Sequence, residues 1–197
     1  MYLFLNFLIG LIVLFVSCKP LSDSKRKIPQ RAANGILDLR AWDFEKDGIV
    51  NLDGDWEFYW EKFLKAEDFK NCKEVNSCVI TTLKVPSVWN AHIINGKEIG
   101  GDGYGTYRLR FMIDKSSDLT LKLPNIGTAY QFYLNGILLR DAGEIGVTPD
   151  TSIPSNFNQS GIRIPKQESN EYEIIVHVSN FHHKQGGIWY PIRIGTD

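Results

Sequence analysis

From Gly105 onward the side chains alternate between apolar and polar with a period of two, and this alternation constrains the fold more than any other feature. In residues 105–114, Tyr107, Leu109, Phe111 and Ile113 fall on one side, with Thr106, Arg108, Arg110 and Met112 on the other. Leu119, Leu121 and Leu123 alternate with Thr120 and Lys122, and Tyr130, Phe132 and Leu134 with Ala129, Gln131 and Tyr133. Tyr172, Ile174, Val176 and Val178 oppose Glu173, Ile175, His177 and Ser179. Last, Ile188, Tyr190, Ile192 and Ile194 oppose Trp189, Pro191 and Arg193. Successive side chains of a strand point to opposite faces, so each run predicts a strand with one packed and one polar face. Asn135-Gly136 predicts a two-residue hairpin between residues 130–134 and 137–140, because both positions accept positive φ. Residues 56–69 are the one stretch with helical character, and their first half suits a strand equally well. Short strands without a βαβ rhythm predict an all-β chain folded as a jelly-roll β-sandwich.

The N-terminus follows other rules. Residues 1–17 carry no charged side chain and are almost wholly apolar, and polarity rises abruptly after Cys18. A short apolar run closed by small residues reads as an export signal rather than part of a fold. Phe15-Val16-Ser17-Cys18 resembles a relaxed bacterial lipobox, in which the Cys becomes the lipidated first residue of the mature chain, although Phe15 stands where that motif usually has Leu. An uncleaved anchor is the alternative, since about 17 apolar residues is the lower limit for crossing a bilayer. Lys19, Lys25, Arg26, Lys27 and Arg31 would then lie on the exported side, against the positive-inside rule. The expected organisation is a signal segment over 1–17, a polar tether over 18–35 and one β-sandwich over 36–197. The expected location is the cell envelope, as a periplasmic or outer-membrane lipoprotein.

Export agrees with the remaining cysteines. Cys72 and Cys78 are close enough to bridge a surface loop in an oxidising compartment, adding about 2–3 kcal/mol by restricting the unfolded chain. Reading them as a metal pair lacks further ligands at zinc-site spacing. The disulfide is therefore expected. With 22 Lys+Arg against 23 Asp+Glu, the net charge of −1 offers no basic excess to neutralise phosphates, which excludes nucleic acid as the main partner.

Five spaced motifs occur in order: Leu52-Asp53-Gly54-Asp55-Trp56-Glu57-Phe58, Val85-Pro86-Ser87-Val88-Trp89, Gly103-Tyr104-Gly105-Thr106-Tyr107-Arg108, Tyr133-Leu134-Asn135-Gly136, and Val178-Ser179-Asn180-Phe181 with Gly186-Gly187. Together they resemble the galactose-binding-like jelly roll that serves as the sugar-binding domain of glycoside hydrolase family 2. They resemble still more the periplasmic sensor domain of bacterial seven-transmembrane receptors with diverse intracellular signalling modules. The resemblance implies carbohydrate binding or envelope sensing. Family 2 enzymes continue into a catalytic barrel carrying two glutamates, and the receptors into membrane helices and an output module. This sequence stops at Asp197, after the last expected strand, so the resemblance implies a sensing or sugar-binding piece alone, or the N-terminal sensor of a longer receptor. Trp56, Trp89, Gly54, Gly105, Gly136 and Pro86 have structural roles before any ligand-binding one.

No nucleophile elbow, phosphate-binding Gly loop, HExxH or CxxC pattern is present, so no catalytic residue and no cofactor is assigned. Asp53, Asp55 and Glu57 lack the spacing of an EF-hand, although related jelly rolls often hold an edge calcium. His182 and His183 are adjacent and point apart, which argues against a metal shared with His177. The informative feature is the polar side of the strands. If they pair in one sheet, Arg108, Arg110, Gln131, Tyr133, His177, Ser179, Trp189 and Arg193 form one surface of planar donors and aromatic platforms. Guanidinium forks take carboxylates and aromatic rings stack on sugar faces, so this surface is the expected site for a carbohydrate or small polar ligand. The alternatives are an ordinary solvated face, a face covered by the N-terminal segment, or a docking surface for an envelope protein.

Overall fold

A computed structural model of the chain describes residues 27–70, 81–114, 118–155 and 160–196. The expected signal segment, the Cys18 lipidation site and the Cys72–Cys78 disulfide all lie outside the described residues. In chain order the elements are β1 (Ile36–Asp38), β2 (Val50–Asn51), β3 (Gly54–Trp60), α1 (Ala66–Lys70), β4 (Thr81–Val85), β5 (Ser87–Val88), β6 (Ile93–Ile94), β7 (Lys97–Glu98) and β8 (Gly103–Met112). They continue as β9 (Leu119–Leu123), β10 (Ala129–Leu134), β11 (Ile137–Ala142), a 3₁₀ turn at Pro149–Thr151, β12 (Ser160–Arg163), β13 (Glu171–Asn180), β14 (Gly187–Ile188) and β15 (Arg193–Thr196).

Two main sheets face each other across one core. The larger has seven strands among the described residues, in the order β11-β10-β13-β8-β3-β4, with β1 also paired to β8. The smaller runs β12-β9-β15-β2. Every ladder of these two sheets is antiparallel except β1–β8. The expected all-β sandwich is the observed fold. Alternation selects the inward side chains: Tyr107, Leu109 and Phe111 of β8 and Ile174, Val176 and Val178 of β13 meet Leu119, Leu121 and Leu123 of β9 and Ile194 of β15 in one buried cluster. Asn135 and Gly136 both have positive φ and close the β10–β11 hairpin, as their sequence requires.

Trp89, with no exposed surface, anchors the loop end of the sandwich. Its ring lies 5.3 Å from Trp60 and 6.1 Å from Phe58, centroid to centroid, and its Nε1 donates to the Gly101 carbonyl at 3.0 Å. Gly186 passes so near this ring that a Cβ there would lie 2.2 Å from it, so only glycine fits.

Of the two readings left open for the first half of residues 56–69, the strand is observed: Trp56, Phe58 and Trp60 alternate with Glu57 and Tyr59 in β3, and the helix is confined to α1. The run from Ile188 to Ile194 is two strands in different sheets, interrupted at Trp189–Ile192. Pro191 lacks a ladder N–H, and Tyr190 turns outward with 59% exposure. Part of the expected tether is tied to the sandwich. Ala32 is buried, and the Ala32 and Gly35 N–H groups donate to the Asp53 and Asp55 carbonyls, both at 2.8 Å.

Candidate functional site

The outward face of the seven-stranded sheet gathers six of the eight residues expected to form the ligand surface: Arg108 and Arg110 on β8, Gln131 and Tyr133 on β10, and His177 and Ser179 on β13. Ladder register sets their neighbours. Across the strands, Gln131 sits opposite His177, His177 opposite Thr106, and Thr106 opposite Tyr59. In the next outward row, Tyr133 lies opposite Ile175, Ile175 opposite Arg108, and Arg108 opposite Glu57. Glu173 and Arg110 face each other one row further on.

Charge on this face is matched internally. Arg108 donates through Nη1 to Glu57 Oε2 at 3.0 Å and through Nε and Nη2 to Glu173 Oε1 at 2.7 and 2.5 Å. Arg110 Nη2 reaches Glu57 Oε1 at 3.2 Å, and the Tyr59 hydroxyl donates to Glu57 Oε2 at 2.9 Å. The Arg108 and Glu57 side chains are only 15% and 6% exposed. Burial pulls the Arg108 guanidinium toward deprotonation, but the hydrogen bonds and charges of Glu173 and Glu57 outweigh it and raise its pKa.

Residues 61–70 cover the same face. The Leu64 N–H donates to Thr106 Oγ1 at 3.0 Å, and Thr106 Oγ1 donates to the Lys62 carbonyl at 2.7 Å. His177 Nε2 lies 2.7 Å from the Leu64 carbonyl, so that nitrogen carries the proton of the neutral ring. The Phe63 ring packs 5.2 Å from His177, and Tyr133 lies 5.1 Å from it on the other flank. Phe69 covers Arg108, its ring centroid 4.1 Å from the guanidinium carbon, and packs at a tilt 5.2 Å from Tyr59. Tyr133 donates to Gln131 Oε1 at 2.7 Å. Ser179, further along β13, is enclosed by residues 146–152, accepting from the Gly146 N–H at 3.2 Å and lying 2.9 Å from Ser152 Oγ. This cover comes from the chain between β3 and β4, while Gly35 and Ile36 lie at the edge of the face beside Glu57 and Arg110. Only Arg110 keeps substantial exposure, at 46%, and it lines a groove of about 360 Å³ with Ile36, Met112, Asn135, Ser169 and Glu171.

Trp189 and Arg193 are not on this face. Strand parity assigns a side chain to one side of its own strand but does not choose the sheet. Arg193 lies on β15 in the opposite sheet, paired with Lys122 on one side and Asn51 on the other. Trp189 sits between β14 and β15, its ring against Gly127 and 4.9 Å from the His183 ring. His182 Nε2 meets the Ser152 carbonyl at 2.7 Å, and His183 Nδ1 the backbone of Gln185, so the histidines part as expected. Among the described residues no three His, Cys, Asp or Glu side chains converge on a metal-sized position.

Glu173 escaped the sequence reading as a site residue, although it shares the parity of His177 on β13. The signal was present in the alternation. The motif residues of the loop end are ties rather than open donors: Asn180 Nδ2 donates to the Gly101 and His183 carbonyls at 2.7 Å each, and Asn90 bridges Lys184 and Gly186.

Solved structures of bacterial β-glucuronidases share this architecture. The enzyme from an uncultured Clostridium sp. matches 74% of this chain with a TM-score of 0.53 and 17% identity, over 28% of its own length. Ruminococcus gnavus β-glucuronidase matches 74% of this chain with a TM-score of 0.51 and 15% identity, over 28% of its length. The structure of that enzyme in complex with D-glucuronic acid gives the same TM-score and identity, over 29% of its length. What is shared is the fold. The chain spans less than a third of the length of these enzymes. No protein-family model matches it, and no curated protein does.

Two outcomes follow from the closed face. Arg108→Met strands Glu173 and leaves Glu57 with only Arg110 and Tyr59 in a half-buried layer, and urea denaturation should show a loss of about 3 kcal/mol. An Arg108 that served only a ligand would leave stability unchanged. Burial holds the His177 imidazole below its ordinary pKa, with the Leu64 carbonyl opposing in part. The unfolded chain therefore binds more protons once pH falls through about 6.5, and stability is lost below that value and intact above it. The stability deficit of His177→Gln relative to the parent should accordingly be smaller at pH of about 5 than at about 7.5. An equal deficit at both would refute the assignment.

Proposed function

We propose that this chain is a non-catalytic binding module of the cell envelope, taking a carbohydrate or another small polar ligand. The observation that carries this reading is the ion pairing of the outward carboxylates. Glycoside hydrolysis needs two carboxyl groups free to flank a sugar, roughly 5–9.5 Å apart. Glu57 and Glu173 are instead both held by Arg108, beneath Phe69. The fold match supports the same reading, since it spans under a third of each β-glucuronidase, a share suited to the sugar-binding domain rather than the catalytic barrel. Export and lipidation at Cys18 are proposed from the N-terminal sequence.

A second reading, docking to an envelope protein, is favoured by one feature. Strand β11 is an edge of the seven-stranded sheet and exposes Ile137 and Leu138, which offers a partner both ladder groups and apolar surface.

A saccharide at about 100 times its Kd should stabilise the protein by roughly 2.7 kcal/mol, raising Tm by about 5–10 °C. A thermal-shift screen across neutral and acidic saccharides measures this, and no shift with any of them argues against the module. Cys18→Ser should abolish radiolabelled palmitate incorporation and release the protein from the membrane fraction. Retained label would place the lipid elsewhere.

A further inference from the structure

The outward face of the four-stranded sheet treats its cations differently from the seven-stranded one. In the β9–β15 ladder, Lys122 lies directly opposite Arg193, which puts their Cβ atoms about 5 Å apart. Like charges so placed repel, and a carboxylate in the same row would offset them. The row holds none: Gly161 flanks Lys122 on β12, and Asn51 flanks Arg193 on β2. Both side chains are exposed, and among the described residues neither forms an ion pair or a hydrogen bond. Other cations of the protein do have carboxylate partners, as Arg108 with Glu57 and Glu173, or Lys166 with Asp118.

These two cations share a cleft of about 420 Å³ with Leu123, Pro124, Asn125, Tyr190 and Pro191, a volume within the roughly 300–1,000 Å³ range of small-molecule sites. The β9–β10 and β14–β15 connections form its walls, and a proline in each restricts the backbone. Tyr190 is 59% exposed although the chain on either side is buried at Ile188 and Ile192. Asn125 lines the cleft as well. An aromatic plate, an amide and two adjacent unmatched cations therefore bound one concave surface.

We infer that this cleft binds a carboxylated sugar, with Lys122 and Arg193 sharing the carboxylate and Tyr190 under the pyranose ring. The inference rests on the binding-module reading and adds the ligand class and the place. A carboxylate between the two cations removes their mutual repulsion, accepting paired N–H groups from the guanidinium and a point charge from the ammonium. The amphipathic ring of Tyr190 covers the C–H face of a sugar while its hydroxyl stays in water. A neutral sugar leaves the cations unmatched, and a simple acid leaves the ring bare. Only a ligand with both parts uses the whole cleft.

Titration of the full chain by calorimetry with D-glucuronate, D-glucose, acetate and inorganic phosphate tests the assignment. D-glucuronate should bind roughly tenfold or more tightly than any of the other three, and more weakly as salt rises. Lys122→Ala, Arg193→Ala and Tyr190→Ala should each weaken it by about tenfold. Their Tm without ligand should stay within about 2 °C of the parent, because the side chains are exposed. Acetate or phosphate binding as well as glucuronate would overturn the sugar assignment and leave a bare anion site. Glucose binding equally well, and indifferent to Lys122→Ala, would overturn the inference while the binding-module reading stood. Absence of binding by every saccharide would overturn both.

Discussion

The β8–β13 ladder runs unbroken from Met112 opposite Glu171 to Gly103 opposite Asn180, and its register decides what both faces of the larger sheet become. In this register Tyr107, Leu109 and Phe111 enter the core beside Ile174, Val176 and Val178, while Arg108 emerges diagonal to Glu173 and opposite Glu57 on β3. A slip of one residue would drive Arg108 and Arg110 into the core and expose the aromatic set. The ion network depends on this register and guards it in return. Desolvation consumes most of the Coulombic gain of a half-buried triad, so its net contribution to stability is small when intact. A slipped pairing would leave Glu57 and Glu173 buried without Arg108, which is far more costly.

Residues 61–70 complete this layer. The chain leaves β3 at Trp60, turns through Glu61 at positive φ, and lies back across the sheet so that Phe63 and Phe69 cover His177 and Arg108. Backbone groups are satisfied on the way by Thr106 and His177 side chains, which is why a threonine and a histidine can sit buried on a face that the alternation marks as polar. Removing water from around Arg108 and its carboxylates strengthens each pairing within the layer.

Alternation makes much of this legible in the sequence. It separates core from outward side chains correctly along β8, β9, β10 and β13, and Asn135-Gly136 marks the hairpin. Sheet membership was not legible, because parity along Arg193 and Ile194 is the same whichever strands they pair with; their partnership with β9 and β2 is a long-range choice made by the whole core. Strands β2, β5, β6, β7 and β14 are two residues long, too short for any period to register. Cover of the polar face by residues 61–70 was also hidden. It depends on contacts such as Leu64 with His177, 113 positions apart, which no local pattern announces. The unmatched pair at Lys122 and Arg193 likewise exists only once the register is known.

Cations on the two outward faces therefore carry different costs of change. On the seven-stranded sheet Arg108 is tied to Glu57 and Glu173 beneath Phe69, so altering it exposes the fold to a buried unpaired charge. Lys122 and Arg193 stay hydrated, and solvent screens most of their repulsion, so tolerating them unmatched costs the fold little. That small cost is also a reserve: an anion entering between them gains their combined attraction without breaking any existing pair. Recognition placed on the smaller sheet can change with its ligand, residue by residue, while the register of β8 and β13 and the layer above it stay as they are.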